Sequence, residues 1–354
     1  MGTHGRRLVF RPGGRVELED HEFSHPGPHQ MLVQVTRSQI SAGSELNGYR
    51  TLLAAAAGPP PPSGAAPSSG PAAATIPTAR TSGYTTVGRV LEVGPDVEGF
   101  RSGDRALVFG NHASHFLVDV SDRQSWRSYP DRVPDGVTDE QACFAVLGDV
   151  ALHGVRRGTL QIDESVVVFG VGVVGQLTVQ FARLSGAHPI VAVDLYAQRL
   201  ELARRGGATH TVDASRGDAV PAVLAATGGG GQTVFHCSPV AQLLQTTLRA
   251  AAMRGKVVLT GSAPGTAEIG LQVELLRREL TILGNYESGL YEPHAYWPWT
   301  RQRNRAACYR LIAGGQLLVD QLTSHKVPPA RAEAMYRLMA AGGDGWMSVF
   351  FDWE

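Results

Sequence analysis

The chain has 354 residues, enough for two or three domains, and its 43% hydrophobic and 18% charged residues give a globular balance that excludes a wholly disordered protein. Its 32 basic and 32 acidic residues cancel, so no overall charge draws it to nucleic acid or to an anionic membrane. No run approaches about 18 apolar residues, MGTHGRRLVF lacks the apolar core of a secretory signal, and Cys143, Cys237 and Cys308 are too far apart for a disulfide framework or a zinc knuckle, which points to a cytoplasmic location without membrane partners.

Short β-rich runs come first: Leu8 to Phe10, Met31 to Val35, Gly88 to Val93 and Arg105 to Phe109, separated by Gly and Pro. This is the punctuation of a compact β-barrel-like domain. Residues 53–81, rich in Ala, Pro, Gly and Ser, interrupt it and read as a low-complexity surface insert, with a lid over a cleft as the alternative. From Ser165 the pattern alternates. SVVVFG is followed by a helix over Val174 to Leu184, PIVAVD by a helix over Gln198 to Arg205, and HTVD by one over Ala219 to Ala226. TVFHCS, a helix over Val240 to Met253, GKVVLTG and TILGNY complete the series. Alternation of this kind predicts a parallel sheet with crossover helices. A helix over Arg301 to Ala313, another over Ala330 to Met339 and a strand over Met347 to Asp352 follow, in a segment too small for its own core.

Gly170-Val171-Gly172-Val173-Val174-Gly175 is G-x-G-x-x-G between a strand and a helix. The first Gly permits a tight turn, the second a close backbone approach to a pyrophosphate, and the third close helix–strand packing, while the amides near Val173 and Val174 meet phosphate at a helix start. Asp194 ends the next strand at the spacing of an acid that binds the adenosine ribose and repels a 2′-phosphate. That favours NAD; Arg199 close behind leaves NADP open. Cys237, Ser238, Gly261, Ser262 and Asn285 end the later strands and are expected to line the cofactor cleft.

On these features the chain resembles the medium-chain dehydrogenase/reductase superfamily over nearly its whole length. Gly83 to Leu107 (GYTTVGRVLEVGPDVEGFRSGDRAL) and Ser38 to Arg50 (SQISAGSELNGYR) are similar to two of the family's stretches, in wording nearest a zinc-lacking branch that includes bacteriochlorophyllide dehydrogenase-like proteins. The resemblance implies an α/β fold, a doubly wound Rossmann sheet inserted in a GroES-like β-barrel catalytic domain. The expected divisions are a catalytic domain over 1–147, a dinucleotide-binding domain over 148–287 and a return segment over 288–354. It also implies a homodimer or homotetramer.

Where zinc members carry metal ligands, this chain has Ala42, Tyr84 (with Thr85 after it) and Val146, and the four-cysteine structural-zinc lobe is missing. No zinc is therefore expected, since a catalytic zinc takes about three protein ligands; a remodelled site drawing on Glu45, His112, His115 or His153 is the alternative. Without a Lewis acid, hydrogen-bond donors must stabilise charge on the reacting oxygen. Ser44 aligns with the family's proton-relay hydroxyl and Tyr84 with a ligand position. Glu45 orients Ser44, faces substrate or is a solvated turn carboxylate. Asp149 reads as a helix cap, His153 as a packed helix residue, His112 and His115 as structural residues at a strand entrance, and Tyr296, Trp297 and Trp299 as helix-start packing or a substrate or subunit surface.

The expected activity is hydride transfer between NAD(P) and a secondary alcohol or ketone, with a polar small molecule as substrate, such as a keto-sugar or aminocyclitol intermediate of secondary metabolism. An enoyl or quinone reductase and a non-catalytic NAD-binding module are the alternatives.

Overall fold

The computed structural model describes residues 2–56, 79–122, 125–286, 293 and 295–354. The expected insert lies mostly outside them, but its edges are ordered elements: 53–56 continue a helix, and Arg80 forms a β-bridge with Phe10.

In chain order the elements are β1 (Thr3–Arg11), β2 (Arg15–Phe23), β3 (Gln30–Gln39), α1 (Ala42–Ala56), β4 (Thr86–Val93), β5 (Arg105–Val108), β6 (His115–Asp119) and β7 (Asp131–Arg132). There follow α2 (Asp139–Gly158), β8 (Val166–Phe169), α3 (Val173–Leu184), β9 (Ile190–Asp194), α4 (Ala197–Gly206), β10 (His210–Asp213), α5 (Val220–Thr227), β11 (Gly231–His236), α6 (Leu243–Arg249), β12 (Ala251–Leu259) and β13 (Thr281–Gly284). The last are α7 (Arg301–Ala313), β14 (Thr323–Val327), α8 (Ala332–Ala341) and β15 (Ser348–Asp352). No helix among the described residues is long and apolar enough to cross a membrane.

The chain divides into two compact units. Unit 1 comprises Met1–Val133, His325–Gly342 and Val349–Glu354; unit 2 comprises Pro134–Ser324 and Gly343–Ser348. These differ from the expected divisions. All of α2 belongs to unit 2, and the chain returns to unit 1 only at His325, because α7 packs on α2.

Unit 1 is built on antiparallel strands. A seven-stranded sheet runs β14-β15-β3-β4-β5-β7, with β6 also on β3, and β1 and β2 form a separate hairpin. Met31, Val33, Val90, Ala106, Val108 and Val118 fill its interior. Along β3 Leu32, between Met31 and Val33, is buried as well, so this strand is covered on both faces, each fully buried aliphatic side chain contributing about 1.5–3 kcal/mol.

Unit 2 holds a six-stranded sheet in the order β10-β9-β8-β11-β12-β13, every neighbouring pair parallel. The chain leaves β8 in one direction and resumes at β11 on its other side, the topology of a doubly wound nucleotide-binding sheet. Val166, Val167, Val168 and Phe169 are all buried, which is why the strand reads as an unbroken apolar run. One expected element is different. The helix foreseen over Val240 to Met253 is confined to Leu243–Arg249, and Ala251 already pairs with Gly231 as β12 begins. Helix propensity at Ala251 yields to its pairing with Gly231, after which the register shifts and regular pairing resumes at Lys256.

Candidate functional site

In unit 2, β8 ends at Phe169 and the backbone turns at Gly170, whose φ of 82° belongs to the left-handed region. A Cβ there would meet the Ser238 amide at 2.9 Å, and one on Gly175 would strike the Gly170 carbonyl oxygen, so α3 can start against the strand only with glycine at both places. A Cβ on Gly172 would meet nothing within 4 Å. Gly172 is the N-cap of α3 and makes no side-chain cap, so the amides of the first turn, including Val173 and Val174, have no capping acceptor from it. Bare amides, a helix dipole and open space fit a dinucleotide pyrophosphate.

Asp194 ends β9 beside this turn, with only 8% of its surface exposed. Its carboxylate accepts from the amides of Val171 (2.8 Å), Leu195 (2.8 Å) and Tyr196 (3.1 Å). A carboxylate has about four acceptor sites, so roughly one is left for a hydroxyl donor. The half-buried Arg199 guanidinium lies over the rings of Tyr196 (4.7 Å) and Trp346 (5.1 Å). Cys237 and Ser238 follow β11, Gly261 and Ser262 follow β12, and Asn285 follows β13, all at carboxyl ends of the sheet. Burial pushes the Cys237 thiol up to about 12 despite its contacts with Thr178 and Thr260, so it stays protonated. Asn285 donates to the Val150 carbonyl (3.1 Å).

In unit 1, Ser44 lies exposed in the first turn of α1, and Tyr84, half-buried just before β4, shares a hydrogen bond with the Ser41 hydroxyl. Ser44 and Tyr84 line one open recess together with Arg80, Thr81, Asn111 and Arg127. Glu45 does not orient Ser44 and is not a solvated carboxylate. It points inward, 6% exposed, and accepts from the Ser41 amide (2.7 Å), the Ser82 hydroxyl (3.0 Å), the Tyr336 phenol (2.6 Å) and His112 Nε2 (3.0 Å). Three of the four donors meet Oε2 and one, the Ser41 amide, meets Oε1. Burial alone would raise its carboxyl, but His112, Tyr336 and the Ser41 amide hold it below the usual carboxylate range. Burial and the adjacent Glu45 charge push the Tyr336 phenol well above its ordinary value. On the other ring nitrogen, His112 Nδ1 lies 2.8 Å from Ser38 Oγ, which accepts from Trp353 Nε1 (2.9 Å). Sequence reasoning left out Ser41, Ser82, Arg80, Arg127 and Tyr336. The flanking hydroxyls in T-S-G-Y-T-T were a usable signal for Ser82, whereas nothing local marks Tyr336.

A family model described as zinc-binding dehydrogenase matches residues 173–301. L-threonine 3-dehydrogenase of Pyrococcus horikoshii is 26% identical over 96% of both chains. D-guloside 3-dehydrogenase of Escherichia coli K12 is also 26% identical, over 72% of each. The solved structure of a short chain alcohol dehydrogenase of Escherichia coli CFT073, complexed with NADH, superposes with a TM-score of 0.78 at 17% identity, covering 99% of this chain and 100% of that one. Together these likenesses support the medium-chain dehydrogenase/reductase superfamily. The chain is an oxidoreductase of the medium-chain alcohol dehydrogenase type.

In this dehydrogenase the segment matched by the family model takes in none of Ala42, Tyr84 and Val146. Ala42 opens α1 and Val146 is buried inside α2. Among the described residues no three His, Cys, Asp or Glu side chains come together as a metal site would require. His112 and Glu45 pair with each other, and His115 is a buried residue opening β6 whose Nδ1 lies 3.0 Å from Ser114.

Asp149 and His153 lie well inside α2 and do not flank its start. The helix is capped by Thr138, whose hydroxyl accepts from the Gln141 amide while Gln141 returns a bond to Thr138. Asp149 is instead a buried acceptor for Arg301 Nε (3.0 Å) and Asn304 Nδ2 (2.8 Å) from α7. Burial raises its carboxyl against the pull of Arg301 and Arg305. Trp297 packs edge-on to His153 and Trp299 lies under Arg156 and Arg303, while Tyr296 is exposed.

His153 is lowered to about 4, first by burial and then by Arg157, Arg156 and Arg301, all of which disfavour the imidazolium. Its folded value lies below the ordinary 6.5, so its contribution to stability is complete above pH 6.5 and is lost as pH falls toward 4. His153→Phe is expected to flatten the stability–pH profile across that window by roughly 2 kcal/mol, read by urea unfolding at pH 7 and pH 4.5.

Proposed function

We propose that this dehydrogenase transfers a hydride between NAD(H) and a secondary alcohol or its ketone without zinc. The observation that carries the reading is the Tyr84 phenol, hydrogen-bonded to the Ser41 hydroxyl and lining one recess with the exposed Ser44, since the resemblance sets Tyr84 at a metal-ligand position and Ser44 at the proton-relay position. Alanine and valine offer no donor atoms and Glu45 is turned inward to four hydrogen-bond donors, a set that does not fit a catalytic zinc.

Bound to the Gly170–Gly175 turn, the nicotinamide cofactor would supply or accept the hydride. Gly170, Gly172 and Gly175 shape its pyrophosphate cradle, the Val173 and Val174 amides meet its phosphates, and Asp194 takes a ribose hydroxyl, with Arg199 alongside. Cys237, Ser238, Gly261, Ser262 and Asn285 line the strand ends. As a carbonyl gains electron density on oxygen, the Tyr84 phenol donates its proton to it, and the Ser41 hydroxyl stabilises the phenolate left behind. Ser44 gives a second hydrogen bond to the same oxygen. Glu45 is a positioning residue that holds Ser41 through its amide. Hydroxyls and an amide in the recess support a hydroxylated substrate, of which a keto-sugar or an aminocyclitol intermediate of secondary metabolism is the proposed class. The exposed Leu271, Val273 and Leu276, close in sequence to the edge strand β13, support a homodimer or homotetramer.

The test is NADH oxidation across matched ketones and activated alkenes, with zinc content measured on the same preparation. Ketone-dependent turnover that survives chelation is expected. Preference for C=C substrates would make the enzyme an enoyl or quinone reductase. NADH binding without exchange of a deuterium label would make it a non-catalytic module, and stoichiometric zinc whose removal stops turnover would overturn the metal-free step.

Cofactor choice gives a separate expectation. Replacing Asp194 removes the charge that repels a 2′-phosphate and leaves Arg199 beside it. Asp194→Ser is expected to move the NADPH/NADH ratio of kcat/KM at least about tenfold toward NADPH.

A further inference from the structure

The recess that carries Ser44 and Tyr84 also holds two guanidiniums, those of Arg80 and Arg127. The carboxylate among its lining residues, Glu45, turns inward to four donors, none of them a guanidinium. Arg80 is half-buried, its Nε has no hydrogen-bond partner, and among the described residues no carboxylate pairs with it. Its backbone is pinned in both directions to Phe10 (2.8 and 3.0 Å), so the side chain can vary without disturbing the bridge. The guanidinium lies against Gly48 of α1, where a Cβ would displace it. Arg127 donates to the Phe109 carbonyl and adds a second positive charge. Next to them, Asn111 donates to the Thr81 hydroxyl (2.8 Å), which keeps a proton to give.

We propose that this recess binds an oxyanion carried by the substrate, a phosphate monoester or a carboxylate, with Arg80 as its principal partner. The inference rests on the reading that the recess takes the substrate, and it selects anionic hydroxylated substrates over amines. A guanidinium presents paired donors that match phosphate and carboxylate geometry, and a half-buried one without a counter-ion is stabilised when an anion arrives. Of the two substrate classes proposed above, this narrows the choice to an anionic keto-sugar, because the ammonium of an aminocyclitol would meet like charges here.

The test separates binding from turnover. NADH-saturated enzyme, with its dinucleotide sites filled, is titrated with inorganic phosphate and with acetate. Arg80→Met and Gly48→Ala serve as variants, Arg80→Lys as the conservative one, and NADH affinity as the check on folding. Saturable binding of one anion, weakened about tenfold or more in Arg80→Met and Gly48→Ala and partly kept in Arg80→Lys, is expected. The anion that binds distinguishes phosphate from carboxylate. Absence of saturable binding, or binding unchanged in Arg80→Met, would overturn the proposal. In the turnover arm, polyols are compared with their phosphates and aldonates. A kcat/KM at least about tenfold higher for the matching anion is expected, and equal values for charged and neutral forms would overturn the proposal. Anion binding at Arg80 with no turnover of any alcohol would leave the oxyanion site standing and defeat the dehydrogenase reading alone.

Discussion

Glu45→Ala is expected to destabilise the protein by about 4 kcal/mol, which would lower the melting transition of unit 1 by roughly 10 °C. The size follows from what is left behind. The Ser41 amide, the Ser82 hydroxyl, the Tyr336 phenol and His112 Nε2 would all lose the same acceptor. Buried donors without a partner bear their desolvation in full. Glu45→Gln keeps the shape but sets an NH2 group against donors, so it should fall between wild type and alanine. The wild-type contribution also has a pH sign. Because the folded carboxyl lies below its ordinary 4.5, the stabilisation is complete above that pH and disappears as acid protonates the carboxylate at still lower values. Thermal melts from pH 7 to pH 3 should therefore show a loss below about pH 4.5 that is absent in Glu45→Ala. A melting point within 2 °C of wild type, in terms of roughly 2–4 °C per kcal/mol, would contradict the network as the anchor of α1.

Tyr84→Phe should reduce kcat by about 10²–10³-fold while KM and NADH affinity change little. The substitution removes one oxygen from a half-buried ring and leaves the packing in place. What disappears is the proton donor and the hydroxyl that Ser41 meets. Ser41→Ala should give a smaller loss together with a shifted pH–rate profile, because Ser41 acts through the Tyr84 phenol and not on substrate. A Tyr84→Phe enzyme with unchanged kcat would remove the phenol from the mechanism and leave Ser44 as the remaining donor.

Much of the nucleotide-binding half is legible from residue order. Local rules suffice there: an apolar strand, a glycine turn, a helix start and an acid at the end of the next strand all lie between Val166 and Asp194, and the backbone has few ways to satisfy them. The structure adds the reason at single positions, with the backbone of Ser238 and of Gly170 standing where Cβ atoms at Gly170 and Gly175 would lie. Helix α6 shows the limit of the same reasoning. Ala251 to Met253 read locally as helix, whereas β12 begins at Ala251, which pairs in parallel with Gly231 of β11.

The recess in unit 1 was less legible. Tyr84 and Ser44 could be picked out by position, but the charge state of their surroundings could not. Glu45 looked like a surface or substrate-facing acid, and its partners turned out to be His112, 67 residues away, and Tyr336, 291 residues away. Asp149 looked like a cap for the same reason, its partners Arg301 and Asn304 lying in a helix more than 150 residues later.

By itself, then, the order of residues determined the parallel sheet, its glycine turn and the presence of side chains other than Cys, His or carboxylate at Ala42, Tyr84 and Val146, since each depends on covalent geometry and on side-chain chemistry at one place. Whether a buried acid is an actor or an anchor, and whether a recess is neutral or cationic, was decided only in the folded chain. Those properties are sums over partners brought together across hundreds of residues, and electrostatic energy depends on distance and burial, which no local pattern records.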